Sequence, residues 1–189
     1  VSGMRGPITD VNVTLHRVGH SSPQYMRALL VSPSGEKVRL MSGRCGSDDI
    51  EDFTWILDQQ ALEEMPSGVP CDGFAYRPAG STSAFRPPAP EGPYSTSLNS
   101  FNGEQANGTW QLYVEDQISD PGTGDMEGGW TLTVSTGPVD VQLPDAGNFG
   151  AASPYPATRT ITGQTGVITD LNVVLDGIWH QRPDDLDML

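Results

Sequence analysis

Three carboxylates fall within the run Asp116-Gln117-Ile118-Ser119-Asp120-Pro121-Gly122-Thr123-Gly124-Asp125, between two strand-like stretches. A hard dication takes oxygen ligands at about 2.3–2.6 Å, and the glycines let the backbone fold so that carboxylates and carbonyls converge. Asp116, Asp120 and Asp125 are therefore the candidate Ca²⁺ ligands, weighed against a plain acidic turn. The D-x-D-x-D-G spacing and closing Glu of an EF-hand are absent. A second acidic cluster, Asp48, Asp49, Glu51 and Asp52, reads as a solvated loop more readily than as another site.

Acid–base catalysis has only His16, His20 and His180 to draw on. No G-x-S-x-G elbow, H-E-x-x-H pair or phosphate-binding loop occurs, and no Ser/His/Asp arrangement follows from the spacing. The expectation is a chain without catalytic activity. His20 and His180 hold equivalent positions in an internal repeat, which suggests a shared structural role such as a turn hydrogen bond.

Cys45 and Cys71 are the only cysteines, both set among Gly, Ser, Asp and Pro. An even count in a turn-rich chain suggests a disulfide and an extracellular setting. Without C-x-x-C spacing or nearby histidines, zinc is disfavoured. Lys and Arg number 10 against 24 Asp and Glu, a formal charge of −14. Phosphate binding needs clustered positive charge, so a nucleic-acid partner is disfavoured; the acidic excess suits calcium or simply solubility. No membrane-spanning segment is visible. Two N-glycosylation sequons occur, Asn12-Val13-Thr14 and Asn107-Gly108-Thr109.

The elements that must position these groups are strands. Twenty-two glycines and 16 prolines punctuate short alternating stretches: Ile8 to Leu15, Ala28 to Val31, Lys37 to Met41, Thr109 to Glu115 and Trp130 to Ser135. Asp58 to Met65 has weak helical character and reads as a short helix or a turn. This pattern predicts an all-β fold, a jelly-roll-like β-sandwich. In the first strand Thr9, Val11, Val13 and Leu15 are expected to face the core. Trp110, Leu112 and Val114 form the corresponding set in a later strand, and Trp130, Leu132 and Val134 in the last, with both tryptophans as core anchors. Residues 77 to 94 hold five prolines and read as a long ordered surface loop.

The chain also begins to repeat itself. Val1 to Leu29 returns degenerately as Ile161 to Leu189 at a constant offset of 160, with eleven of 29 positions identical, among them Gly3/Gly163, Gly6/Gly166, Ile8/Ile168, Asp10/Asp170, Asn12/Asn172, His20/His180 and Pro23/Pro183. That period suits a whole domain plus a linker. The expected organisation is a sandwich over 1–137, a linker and start of the next repeat over 138–157, and opening strands of a second repeat over 158–189. The segment Tyr155 to Thr160 leads into the second copy, and the first copy starts at Val1 without its equivalent. Either an array is cut mid-repeat or the C-terminal residues fill the gap in a neighbouring subunit by strand donation.

The run Asn107-Gly108-Thr109-Trp110-Gln111-Leu112-Tyr113-Val114-Glu115-Asp116, followed by Gly129-Trp130-Thr131-Leu132-Thr133-Val134, resembles the end of the P domain (Homo B) of proprotein convertases. Ile8 to Val13 and Leu29-Leu30-Val31-Ser32-Pro33-Ser34-Gly35 resemble that family's early strands and S-P-S-G turn, so the likeness covers about residues 1 to 136. It implies a jelly-roll-like sandwich that stabilises or regulates a neighbour, found beside subtilisin-like proteases and in bacterial secreted or surface proteins, with activity residing elsewhere. Where the family commonly carries an acidic residue, the second copy has Asp184-Asp185-Leu186-Asp187 and the first has Gln24-Tyr25-Met26-Arg27. The segment Cys45 to Tyr94 is longer than the family's minimal pattern.

These observations predict a non-catalytic, extracellular or cell-surface structural or adhesive module, partnered by copies of itself in tandem or head to tail, with Ca²⁺ fixing loops. The rivals are an accessory domain of a secreted subtilisin-like protease and a glycan- or protein-binding module using Tyr76, Phe85, Tyr94 and Phe101.

Overall fold

Alternation in the N-terminal segment produces one long strand, β1 (Ile8–His20), that organises the molecule. The computed structural model describes residues 1–117, 124–138, 141–144, 150–153, 155–158, 173 and 186–188. Beyond β1 it has β2 (Met26–Val31), β3 (Lys37–Ser42), β4 (Ile50–Asp58), β5 (Ala75–Tyr76), β6 (Ala79–Gly80), β7 (Gln111–Asp116), β8 (Gly124–Met126) and β9 (Trp130–Thr136). The only helical elements among the described residues are single 3₁₀ turns at Pro23–Tyr25 and Leu98–Phe101. The fold is an all-β sandwich of two mixed sheets. In one, β5, β4 and β1 lie side by side, and β8 and β9 both pair with β1; in the other the order is β6-β3-β2-β7.

Val11, Val13 and Leu15 are buried as the alternation predicts, but Thr9 is exposed and Ile8 takes its place in the core. The cause is a register shift against β9 between Ile8 and Asp10, which reverses the phase by one residue. A second shift follows Leu15 on the β4 side. Arg17 sits there at φ 51, so Val18 and His20 turn inward. Arg17 bonds Asp52 at 2.7 Å and Glu127 at 2.6 Å, and these carboxylates, Asp52 first, raise its already high pKa. Glu51 and Asp52 thus belong to β4 and not to an acidic loop.

The inter-sheet core contains Trp55, Leu57, Leu30, Leu40, Met41, Leu98 and Phe101, all essentially inaccessible. Cys45 and Cys71 form a disulfide across 26 residues, itself buried, and the Trp55 Nε1–H donates to the Cys71 carbonyl at 3.2 Å. Asp58 to Met65 contains no helix; it is a turn after β4. Two compact units divide the chain, Val1–Val139 and Asp140–Leu189. In the second, Gln142 and Ser153 form an antiparallel bridge with both bonds at 2.8 Å. No helix among the described residues is long and apolar enough to cross a membrane.

The proline-rich segment contains β6 near its start and otherwise forms an ordered loop packed on the outer face of β2 and β3. Phe85, with Tyr94 and Ala89, covers Leu29 and Val31. The Arg27 and Arg39 guanidiniums stand 5.8 and 5.7 Å from the Phe85 ring centroid and donate to the Ala84 and Ser83 carbonyls at 2.5 and 2.7 Å. Burial lowers the Arg39 pKa from its ordinary value. Phe85, Phe101 and Tyr76 are buried, so three of the four aromatics expected to meet a ligand are structural.

Candidate functional site

The acidic segment links the sheets: Asp116 ends β7 and Asp125 lies in β8, while Asp120 falls outside the described residues. Both described carboxylates meet one two-residue stretch of β1. His20 accepts a hydrogen bond from the Ser22 N–H at Nδ1, 2.9 Å, and its Nε2 lies 3.3 Å from Asp116 Oδ2. The turn hydrogen bond anticipated for His20 is present; His180 lies outside the described residues. Asp125 pairs with Gly19 in the ladder, and a Cβ on Gly124 would lie 2.5 Å from His20 Cδ2. Glycine at 124 is what allows β8 to close on the imidazole.

A cation already stands at this end of β7. Arg27, at the position equivalent to Asp187, lies 3.1 Å from Glu115, and both side chains are largely buried. Glu115 also accepts the Arg86 N–H at 3.0 Å. No group of three or more metal-ligating side chains is assembled among the described residues. What the geometry displays here is a cluster of polar contacts where the C-terminal ends of β1 and β7 and the start of β2 come together.

The second feature is an apolar seam. β2 pairs with β7 so that Ala28 lies opposite Val114 and Leu30 opposite Leu112, and β1 pairs with β9 so that Leu15, Val13 and Val11 lie opposite Trp130, Leu132 and Val134. Directly opposed residues share a face, so all five side chains of β7 and β9 point between the sheets. Yet Val114 is 44 % exposed and Trp130 36 % exposed. The expected core positions are correct in phase but incompletely covered, because β7 and β9 are sheet edges among the described residues. Trp110 is buried, edge-on to Phe101 at 5.0 Å, with its Nε1–H bonded to the Ala106 carbonyl.

An open cleft of ≈ 400 Å³ marks one end of this seam, lined by Val1, Gly108, Thr109, Trp110, Trp130 and Leu132. The N-terminal residues clip onto the N-G-T-W run. Val1 and Gly108 exchange backbone hydrogen bonds at 2.9 and 3.0 Å, and the Asn107 side chain both accepts from Met4 N–H and donates to Met4 C=O. Gly108 has φ 134, and a Cβ there would come within 2.6 Å of Pro33. The N-G-T and S-P-S-G signals therefore meet in space. Sequence reasoning missed the seam because alternation reveals which face a residue takes but not which strands stand at an edge. No family model, curated protein or solved structure matches the chain.

Proposed function

We propose that this chain is a non-catalytic repeat module of an extracellular structural or adhesive protein, whose copies associate in tandem or head to tail. The observation carrying this reading is the uncovered apolar seam between β7 and β9, in a chain whose opening 29 residues recur 160 positions later. An exposed sheet edge with apolar inner residues is a template for added chain. A buried disulfide fits an oxidising compartment, and the P-domain resemblance fits a module that supports its neighbours. Calcium enters the reading only as a ligand of the loop between β7 and β8, where Asp116 and Asp125 stand at the two ends.

The deciding experiment is the mass of the intact chain by light scattering across concentration, with Ca²⁺ and with EDTA. Growth of mass with concentration is the expected result, and a monomer throughout would defeat the association reading. A mass and melting temperature indifferent to EDTA would remove calcium from it.

A further inference from the structure

We infer that the surface flanking β5 docks a basic, apolar segment of another protein, with Leu62 and Phe74 as its anchors and Glu63, Glu64 and Asp72 as its acidic rim. β5 stands at the opposite end of its sheet from β8 and β9, so this surface is separate from the seam and does not depend on the association reading above.

Leu62 and Phe74 are 95 % and 81 % exposed, the two most exposed large apolar side chains among the described residues. One exposed leucine needs no explanation, but apolar groups held together and rimmed by charge mark an interaction surface. β5 brings the two anchors together. On one side Ala75 and Tyr76 pair in parallel with Ile56 and Leu57 of β4. On the other, Arg77 bridges in parallel to Glu64; its N–H donates to the Glu63 carbonyl at 2.7 Å, and its carbonyl accepts the Met65 N–H at 3.1 Å. Leu62 lies two residues before Glu64, and Phe74 lies three before Arg77. With strands about 4.8 Å apart and a rise of about 3.3 Å per residue, their Cα atoms stand roughly 6–10 Å apart. Ile56, between the buried Trp55 and Leu57, turns outward beside Ala75 and continues the apolar surface.

Neither anchor is a loose tip. Arg77 Nη1 donates to the Ala61 and Leu62 carbonyls at 2.6 and 2.7 Å, and the Phe74 carbonyl accepts the Ile56 N–H at 2.8 Å. Gly73 N–H donates to the Tyr76 hydroxyl at 2.5 Å, and Cys71 is buried in the disulfide. Side chains presented from a fixed backbone lose less freedom on binding.

The rim selects the occupant. Glu63 and Glu64 follow Leu62, Asp72 precedes Phe74, and all three are exposed. None of them has a cationic partner among the described residues. Glu63 and Asp72 both act on the Tyr76 phenol, which places them around one hydroxyl. Covering these carboxylates with an uncharged surface would remove their water without return. A second copy docking on this patch symmetrically would set acidic rim against acidic rim, in a chain of formal charge −14. Lysines or arginines flanking an aliphatic or aromatic pair satisfy the anchors and the rim together.

Three fluorescein-labelled, end-blocked peptides titrated with the full chain and followed by anisotropy test this: Lys-Leu-Lys-Phe-Lys-Leu, Lys-Ser-Lys-Ser-Lys-Ser and Glu-Leu-Glu-Phe-Glu-Leu. The first should bind about tenfold more tightly than either of the others, and Leu62→Ser/Phe74→Ser should weaken it about tenfold. Glu63→Gln/Glu64→Gln/Asp72→Asn should weaken it too and flatten its salt dependence. All the substituted side chains are exposed, and melting curves would verify that the variants fold. No binding of the first peptide, or equal binding of the serine peptide, would overturn the inference, the latter by reducing it to diffuse charge attraction. Binding indifferent to Leu62→Ser/Phe74→Ser, or tighter binding of the glutamate peptide, would overturn it as well. Growth of mass with concentration that Leu62→Ser/Phe74→Ser abolishes would make a second copy the occupant and overturn the basic partner. Selective peptide binding by a chain that stays monomeric would support this inference and sink the association reading; association without selective peptide binding would do the reverse.

Discussion

Val1 and Gly108 form a doubly hydrogen-bonded antiparallel pair across 107 residues of sequence, and the glycine holds φ 134 against Pro33 to do so. One backbone position thus joins the N-terminus, the start of β7 and the S-P-S-G turn.

Gly108→Ala should destabilise the fold by about 1–3 kcal/mol, since the residue must either leave its glycine-type conformation or displace Pro33. Urea unfolding measures this directly. An unchanged midpoint would mean that the contact with Pro33 is not made in solution.

Arg27→Met removes the charged partner of the largely buried Glu115 and should lower stability by roughly 3 kcal/mol. Adding Glu115→Gln should restore part of the loss, because the uncompensated charge is gone. Equilibrium unfolding of both variants separates the ion pair from simple packing.

Replacing Cys45 and Cys71 by Ser should reduce stability by about 2–5 kcal/mol, as a cross-link closing a long loop is lost. Trp55 reports the event, because its indole N–H bonds the Cys71 carbonyl. A change in tryptophan emission at unchanged strand content is the expected signature.

Burial raises the Tyr76 phenol above its ordinary pKa of 10.0, opposed in part by the hydrogen bond it accepts from Gly73 N–H. The unfolded chain therefore ionises first as pH rises. Stability from this group is complete below the ordinary value, falls as pH passes it, and is gone once the folded-state phenol ionises. Tyr76→Phe should flatten that alkaline decline, measurable as midpoint against pH.

Val114→Lys should leave the isolated module's melting behaviour nearly unchanged, within about 0.5 kcal/mol, because the side chain is already substantially exposed. Its effect should fall on association, read by light scattering under matched conditions.

The sequence by itself determined the class of fold and most of its inward-facing residues. Alternation identifies β1, β7 and β9 because a strand covered on one face must repeat every second residue; β2 and β3, buried on both faces, are marked by their short runs between turns. It missed β4, whose opening Glu51 and Asp52 resemble a loop until Arg17 is seen across from Asp52. It misplaced Thr9 because a bulge changes phase without leaving a composition signal. The carboxylates at 116 and 125 are visible as a cluster in one dimension; only the fold shows Asp116 beside His20 and Asp125 paired with Gly19 in the ladder. Most decisively, strand order is non-local. Val114 and Trp130 carry the pattern of core residues, and only the tertiary arrangement leaves them at the open rims of two sheets, because burial depends on which strand lies next door and periodicity does not encode neighbours.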